Sequence, residues 1–179
     1  MPFSCDPEVD WMHCDQIVNE YGSWPQSWMA LERAYAEGFI ASLGVSNFDV
    51  DLLNMLLEHG FHMPHAVQNF ADLEDVDMDV RVWCSEHDVV FVPYASRRHV
   101  EHLSQELTLA LTELAERYGV SKHVIVSKFF LQTGAAAIPR TSNVEHLVEN
   151  IQKIYDFVLT ESELESLGWI YGVNRAEEL

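Results

Sequence analysis

The clearest indication of this chain's fold is the stretch Leu43-Gly44-Val45-Ser46-Asn47-Phe48. Its apolar residues give way abruptly to the small polar side chains of Ser46 and Asn47, and a helical pattern starts at Val50. This order is typical of a buried parallel strand that carries polar atoms to its own carboxyl end. In α/β barrels and open α/β sheets, that end of the strand is where chemistry and ligand binding take place.

Strand and helix patterns alternate on both sides of this stretch. We predict strands over 39–45, 65–68, 89–94 and 135–138. Helices are predicted from Gln26 to Gly38, over 50–58, over 77–87 and along the stripe from Leu107 to Tyr118. Three further helices follow, the first capped by Ser121, the second by Ser142 or Asn143, and the third by a Thr160–Glu163 capping box. The pattern predicts one α/β domain over 26–179 with a parallel sheet, preceded by an irregular segment over 1–25.

Each predicted strand is followed by residues with hydrogen-bonding or charged side chains. These residues are Ser46 and Asn47, then Gln68 and Asn69, then those at 94–98, then those at 140–143. Because parallel strands end at the same edge of a sheet, we expect one polar crevice there. Arg140, Thr141 and Ser142 directly precede a helix N-terminus, where free backbone N–H groups and the helix dipole favour a phosphate.

Over residues 26 to 170 the sequence resembles the aldo-keto reductases. The similarity is carried by Gly44 to Phe48, by 64–69, by 89–96, and by 138–143 followed by Glu149 and Asn150. The resemblance implies a partial TIM (β/α)8 barrel, in which about four C-terminal βα units correspond to strands 5 to 8 of the family. It also implies NADP as cofactor and carbonyl reduction by hydride transfer.

The resemblance assigns roles to ten residues. Ser46, Asn47 and Gln68 would hold the nicotinamide carboxamide, Tyr94 would stack on the nicotinamide ring, and Ser96 would lie along the pyrophosphate. Arg140, Thr141 and Ser142 would take the 2′-phosphate, with Glu149 and Asn150 near the adenine. The family usually has lysine where Arg140 stands and often arginine where His146 stands. The first change keeps the charge, whereas a neutral imidazole weakens the hold on the 2′-phosphate.

The family's catalytic tyrosine, lysine, aspartate and histidine precede its fifth strand, and no Asp-x-Ala-x-x-x-Tyr pattern occurs in this sequence. The start at Met1-Pro2-Phe3-Ser4 resembles the residues that follow the family's histidine. We therefore expect no catalytic residue here.

The chain is interpreted as the truncated, cofactor-binding half of a reductase, inactive alone and able to take a small carbonyl substrate only when the first half is supplied. The alternatives are a non-catalytic nucleotide-sensing or regulatory barrel remnant, and a product without stable function.

An unfilled barrel face and unpaired sheet edges would favour a homodimer or a partner that supplies the missing half. The segment from Cys5 to Pro25 either lines a substrate mouth or, as we favour, covers exposed barrel edge.

Composition narrows the classes of partner. A net charge of −19 disfavours nucleic acid and anionic membrane surfaces. Three widely spaced cysteines argue against a disulfide framework, and the first residues do not form a signal-peptide pattern. The cytoplasm is the expected location.

Asp75, Asp77, Asp79 and Glu86 have offsets that invite a calcium-loop interpretation. Val80 occupies the position where such a loop needs glycine, so acids at a helix N-terminus are the better interpretation. We predict no metal site.

Overall fold

A computed structural model of the protein describes residues 24–58 and 62–168. Three parallel strands form a sheet in the order β1-β2-β3, and helices follow each strand. The elements are α1 (Trp24–Ala36), β1 (Gly44–Ser46), α2 (Val50–Glu58), β2 (Ala66–Phe70), α3 (Met78–Glu86), β3 (Val90–Tyr94), α4 (Gln105–Tyr118), α5 (Lys122–Gln132), α6 (Val144–Gln152), a 3-10 turn (Lys153–Tyr155) and α7 (Glu161–Ser166).

The two faces of the sheet differ in burial. Val67 and Phe91 point from β2 and β3 into the core beneath the helices and are buried. The alternate positions, aligned as Ser46, Gln68 and Val92, lie on the opposite, more open face. Burying a large apolar side chain contributes about 1.5–3 kcal/mol each, so the helical side supplies most of the stability. That core contains Leu53, Leu56, Val67, Phe91, Leu111, Ile125, Phe129 and Phe130.

The first strand is shorter than predicted. Gly38 adopts a positive φ of 78° after α1, and Phe39 is 78 % exposed rather than inside a strand. The Phe39 N–H donates to the carbonyl oxygen of Ala34 in α1. It is therefore not available for pairing with a neighbouring strand. Pairing begins only at Gly44, which lies opposite Ala66. The prediction of a strand over 39–45 was therefore wrong in its first five residues.

Residues 135–138, which we predicted to be a fourth strand, are described by the structure and do not form a strand. The Ala136 N–H donates to the Phe91 carbonyl oxygen at 2.9 Å, which anchors this segment beside β3. Pro139 then follows and has no N–H to donate, so the segment cannot extend its pairing there. The described residues thus confirm a parallel α/β sheet of three strands.

Other boundaries moved little. The second strand runs over Ala66–Phe70 instead of 65–68, and the third agrees to within one residue. Helix α1 begins at Trp24, two residues before the predicted start, so the irregular segment would end before residue 24. Residues 1–23, including most of the segment from Cys5 to Pro25, lie outside the described residues.

The predicted caps are largely confirmed. Asn143 caps α6 by accepting from the Glu145 N–H, which settles the choice between Ser142 and Asn143. Thr160 and Glu163 form the expected capping box of α7. Ser121 occupies the N-cap position of α5 but makes no capping bond with its side chain, because its hydroxyl is used elsewhere.

Candidate nucleotide-binding site

The ends of the three strands bring four predicted site residues to one edge. Ser46 lies opposite Gln68 in the parallel register. Across the sheet, the Tyr94 hydroxyl donates to Asn47 Oδ1 at 2.8 Å. Ser46, Asn47, Gln68 and Tyr94 therefore lie at the carboxyl edge, as the strand-end argument predicts.

The backbone turns sharply just beyond two of these strands. Asn47 has a φ of 59° and Ala95 a φ of 57°. Asparagine tolerates this left-handed conformation, whereas alanine adopts it at a cost of roughly 1–2 kcal/mol. Such strain is concentrated at functional sites, where the surrounding structure holds it in place. The Asn47 N–H donates to the Gln68 carbonyl oxygen at 3.1 Å, which holds the first of these turns.

A cavity of about 360 Å³ lies over the open face of the sheet, and Ser46 and Gln68 form part of its wall. The rest of the wall is mainly apolar: Trp24, Ser27, Trp28, Leu31, Gly44, Val45, Phe48, Ala66 and Val92. A mostly apolar cleft with a few polar groups at one side suits a flat heteroaromatic ring that carries a polar substituent.

A second cavity, of about 410 Å³, lies between the end of β3, the N-terminal part of α5 and helix α6. Six of the ten predicted residues line it: Tyr94, Ser96, Arg140, Thr141, Glu149 and Asn150. Its remaining wall consists of Ala95, Arg97, Arg98, Ser121, His123, Ile138, Pro139 and His146. We call it the β3–α6 cavity. Ser142 is exposed and is not among its lining residues.

Positive charge is concentrated at the β3–α6 cavity. The chain has only ten lysine and arginine residues against 29 acids, yet Arg97, Arg98 and Arg140 all line this cavity. The N-terminus of α6 adjoins the Arg140–Asn143 segment and adds free backbone N–H groups. In so acidic a protein, this is a surface suited to a phosphate-bearing ligand.

Arg97 links the two sides of the cavity. Its Nη1 donates to Asn150 Oδ1 at 3.0 Å, and its Nη2 donates to the Arg140 carbonyl oxygen at 3.2 Å. Burial lowers the pKa of Arg97 below its ordinary value. The two cations that follow Tyr94 were visible in the sequence, but spacing alone does not reveal that the first reaches residues more than forty positions away.

Glu149 lines the β3–α6 cavity, and Ser121 engages its carboxylate. Its Oε1 accepts from the Ser121 N–H and its Oε2 accepts from the Ser121 hydroxyl, both at 2.9 Å. Burial would raise the pKa of Glu149, but the two Ser121 hydrogen bonds outweigh burial and the pKa is lowered. Glu149 is thus an ionised brace between α5 and α6, with both carboxylate oxygens already accepting hydrogen bonds.

Two buried nitrogen atoms at the β3–α6 cavity have no hydrogen-bond partner among the described residues. They are Asn150 Nδ2 and His123 Nδ1. Asn150 is 8 % exposed. Burial, helped by the charge of Arg97, lowers the pKa of His123 from its ordinary 6.5, so the imidazole is neutral at pH 7. An unpaired buried polar atom costs about 1–3 kcal/mol, which a ligand that pairs with it would recover. No pattern in the sequence singles out His123.

The acidic stretch before α3 is structural. Asp77 precedes α3, and its Oδ2 accepts from Asn69 Nδ2 at 2.9 Å. Within 24–58 and 62–168, no group of three or more histidine, cysteine, aspartate or glutamate residues is arranged to hold a metal ion. No helix in these ranges is both long and apolar enough to cross a bilayer.

Comparison with known proteins identifies the family of this chain. The sequence model of the aldo/keto reductase family matches residues 6–99, which is more than half of the chain. The chain belongs to the aldo/keto reductase family. The match begins at residue 6, so the family resemblance extends into the segment that we predicted to be irregular.

Curated relatives include aldo-keto reductase family 1 member D1 of Mus musculus, 31% identical over 165 residues, which cover 85% of this chain and 50% of the relative. The glyoxal reductase of Bacillus subtilis is 27% identical over 80% of this chain and 53% of the relative. The chain spans about half the length of the curated relatives it matches.

Solved aldo-keto reductases have the same fold. The aldo-keto reductase AKR2E5, complexed with NADPH, superimposes with a TM-score of 0.73 at 25% identity, covering 84% of this chain and 48% of that one. The thermostable aldo-keto reductase Tm1743, complexed with the inhibitor epalrestat, gives a TM-score of 0.72 at 28% identity over 83% of this chain and 55% of that one. The three-stranded parallel sheet with its helices thus corresponds to part of an aldo-keto reductase TIM barrel.

Proposed function

We propose that this chain is the NADP-binding part of an aldo-keto reductase that reduces carbonyl compounds. The observation that carries the proposal is the β3–α6 cavity, which is lined by six of the predicted site residues, Arg140 among them, and by two further arginines, Arg97 and Arg98. Aldo-keto reductase AKR2E5, to which the chain is similar, is known as a complex with NADPH.

The residues present fit the two ends of this cofactor. At the phosphate end, Arg140 and the N-terminus of α6 supply positive charge and Thr141 supplies a hydroxyl. The unpaired Asn150 Nδ2 is a buried donor that suits a ring nitrogen of a purine. We infer that Ser142, although exposed, joins Arg140 and Thr141 only at the cavity rim.

At the nicotinamide end, the carboxamide would meet Ser46, Asn47 and Gln68. Because the Tyr94 hydroxyl donates to Asn47 Oδ1, the Asn47 amide is oriented with its NH2 group available as a donor. Bound NADPH supplies the hydride that reduces a carbonyl. The described residues hold and orient the cofactor, and Tyr94 offers an aromatic ring at the strand edge.

We propose further that this chain does not complete the reaction alone. The Tyr118 hydroxyl donates to Glu163 Oε2, and burial raises the pKa of Tyr118. Lys128 donates to the Ile154 carbonyl oxygen, away from the strand ends. Neither arrangement provides a tyrosine activated by lysine at the sheet edge, where a carbonyl oxygen would need a proton.

The open face of the sheet also favours the proposal that this chain does not complete the reaction alone. We propose that β1, β2, β3 and the 135–138 segment correspond to strands 5 to 8 of a barrel, with the other four strands supplied by a partner or by further sequence. A second candidate function, nucleotide sensing without catalysis, is favoured by the absence of the family's Asp-x-Ala-x-x-x-Tyr pattern from the sequence.

A cofactor-fluorescence titration with NADPH tests the proposal, with Arg140→Ala as the test variant and Arg33→Ala as the control. Arg33 is an exposed arginine on α1, so its loss changes the net charge equally without altering the cavity. We expect saturable binding that Arg140→Ala weakens about tenfold or more, because charge-assisted hydrogen bonds contribute about 1.5–3 kcal/mol. Equal weakening by the two variants would show that only net charge matters and would overturn the assignment.

A carbonyl-reduction assay with NADPH and an aromatic aldehyde separates the two candidate functions from an intact enzyme. We expect no turnover by the chain alone at cofactor concentrations that saturate binding. Turnover by the chain alone would contradict the proposal that its catalytic groups are missing.

A further inference from the structure

Resting on the proposed half-barrel, we propose that the partner which completes it is a second copy of this chain. The segment 135–138 of each copy would pair in parallel with β1 of the other copy. Each copy supplies three strands and one segment anchored beside β3, and two such sets make the eight positions of a barrel. Because the ring closes after two copies, the assembly ends at a dimer.

The first edge of this interface is β1, which lies at one side of the three-stranded sheet. The Leu43 carbonyl oxygen accepts from the His65 N–H at 2.8 Å, and the Asn47 N–H donates to the Gln68 carbonyl oxygen at 3.1 Å. The backbone groups of successive strand residues point to alternate sides. The odd-numbered residues therefore serve β2, and Gly44 directs its N–H and carbonyl oxygen to the outer edge.

The second edge is the segment 135–138, on the far side of β3. The Ala136 N–H donates to the Phe91 carbonyl oxygen at 2.9 Å. By the same alternation, Ala137 directs its N–H and carbonyl oxygen away from β3. Residues 135–137 are all alanines, so a neighbouring backbone can approach this edge closely, and Ile138 beside them is 48 % exposed. One chain thus carries two edges that can pair with each other only between copies.

The space beside β1 suits an added strand. The cavity of about 360 Å³ extends from α1 around β1 to the open face, and Trp24 and Trp28 form its α1 end. Trp28 is 3 % exposed, and its Nε1 has no hydrogen-bond partner within 24–58 and 62–168. A carbonyl oxygen of an added strand would accept from this N–H, and alanine side chains leave room for the two indoles. The strand would occupy the α1 end, which leaves the end at Ser46 and Gln68 open.

Helix α6 favours a whole second copy over an isolated peptide strand. Glu149 and Asn150 face Ser121 and Arg97, and an exposed apolar stripe lies on the opposite side of the helix. An isolated strand would leave this stripe in water, whereas a second copy brings its own α1, with an exposed Met29, to the same seam. The stripe consists of Val144, Leu147, Val148 and Ile151.

Analytical ultracentrifugation of the full chain tests the assembly. We expect a monomer–dimer equilibrium over about 1 to 200 μM chain, with the larger species at twice the monomer mass of 20.5 kDa. Because each copy carries a net charge of −19, raising NaCl from about 0.05 to about 0.5 M should lower the dimer dissociation constant. Amide hydrogen exchange should slow at Gly44 and Ala137 as the dimer forms, since both amides then join a strand ladder.

Three variants test the two surfaces. Ile151→Asp should weaken the dimer at least about tenfold, because association would desolvate the new carboxylate. Leu109→Asp is the matched control, since Leu109 is 57 % exposed against 59 % for Ile151 and lies on α4, which packs on α5 and α7. It should change the dissociation constant by less than about twofold. Trp28→Phe keeps an aromatic ring but removes the indole N–H, and should weaken the dimer by up to about tenfold.

A wild-type chain that stays monomeric at every concentration would overturn the inference. So would a dimer in which Gly44 and Ala137 exchange as fast as in the monomer, because the copies would then meet through another face. Species larger than a dimer would contradict closure after two copies. NADPH binding is measured on the same samples. A wild-type dimer that binds no NADPH would overturn the proposed function and leave the dimer standing, whereas a monomeric wild-type chain that binds NADPH would do the reverse.

Discussion

The Tyr94 hydroxyl and Asn47 Oδ1 lie 2.8 Å apart and join the ends of β3 and β1 across the intervening strand. Residues 47 positions apart in sequence thus fix each other at the sheet edge. Asn47 holds a left-handed backbone conformation with φ 59°, and the hydrogen bond from Tyr94 fixes the direction of its amide. This pair orders the proposed nicotinamide end of the site before any ligand arrives.

Tyr94→Phe removes that hydrogen bond while keeping the ring. We expect the dissociation constant for NADPH to rise by up to about tenfold, because one hydrogen bond contributes about 0.5–1.5 kcal/mol. Tyr155→Phe is the matched control, since Tyr155 is 77 % exposed on the turn after α6. If the Tyr94→Phe variant binds NADPH as tightly as the control does, cofactor binding does not depend on the hydrogen bond that orients the Asn47 amide.

Gly44→Ala tests the close approach of β1 to β2. A methyl group at residue 44 would lie 3.2 Å from the Ala66 carbonyl oxygen, which belongs to the paired backbone and cannot swing away. We expect the free energy of unfolding to fall by about 1 kcal/mol or more, as overpacking does elsewhere. Urea unfolding measures it, and a variant as stable as the wild type would mean that the two strands can separate without cost.

Arg81→Met tests a buried cation behind the sheet. Arg81 Nη2 donates to both the carbonyl oxygen and the hydroxyl of Thr133, each at 2.7 Å, at the end of α5. Its guanidinium also lies 5.6 Å from the centroid of the Phe130 ring. Burial lowers the pKa of Arg81 to about 10, so the group is still charged at pH 7.

Methionine keeps most of the volume of Arg81 but leaves the Thr133 carbonyl without this donor. We expect a loss of about 2 kcal/mol in the free energy of unfolding, the usual cost when a charge-assisted hydrogen bond is removed. Thermal and urea unfolding should agree on the direction. A gain in stability on Arg81→Met would mean that desolvation of the charge outweighs its contacts.

Glu163 should make stability fall in mild acid. Burial would raise the pKa of Glu163, but hydrogen bonds from Thr160, Tyr118 and Arg117 outweigh burial, and the pKa lies below its ordinary value of 4.5. A carboxyl whose folded-state pKa is depressed stabilises the fold above its unfolded-state pKa. That contribution is lost as the pH falls through the folded-state pKa.

Glu163→Gln keeps a side chain that can complete the capping box with Thr160 but removes the charge. We expect the variant to be less stable than the wild type at pH 7, with the difference shrinking as the pH falls below 4.5. Urea unfolding at neutral pH and in acid measures both chains. If the difference in free energy of unfolding between the two proteins increased on acidification, the depressed pKa of Glu163 would be contradicted.

The parts of this structure that sequence reasoning found are those with local signals. Helices α2 and α7 follow from apolar spacing and capping residues, and the polar strand ends follow from abrupt changes in hydrophobicity. Strand limits were harder to predict. An exposed Phe39 and a buried Leu43 look alike in an apolar run, and the sequence does not show that strand pairing starts only at Gly44.

Long-range side-chain contacts carried no sequence signal. Glu149 is 28 positions from Ser121, and nothing in the sequence shows that Ser121 donates hydrogen bonds to both Glu149 carboxylate oxygens. Arg97 likewise reaches Asn150 over 53 positions. These contacts depend on how α5 and α6 pack beside the end of β3, which becomes visible only in three dimensions.

The measurement that tests the central proposal most directly is the binding heat of NADPH compared with that of NADH on the full chain. We expect NADPH to bind at least about tenfold more tightly, because only NADPH carries the 2′-phosphate that Arg140, Thr141 and the N-terminus of α6 would meet. Arg140→Ala should bring the dissociation constants for NADPH and NADH closer together. Absence of binding heat with either nucleotide up to about 1 mM, or equal affinity for both, would contradict the proposal that these strand ends form an NADP site.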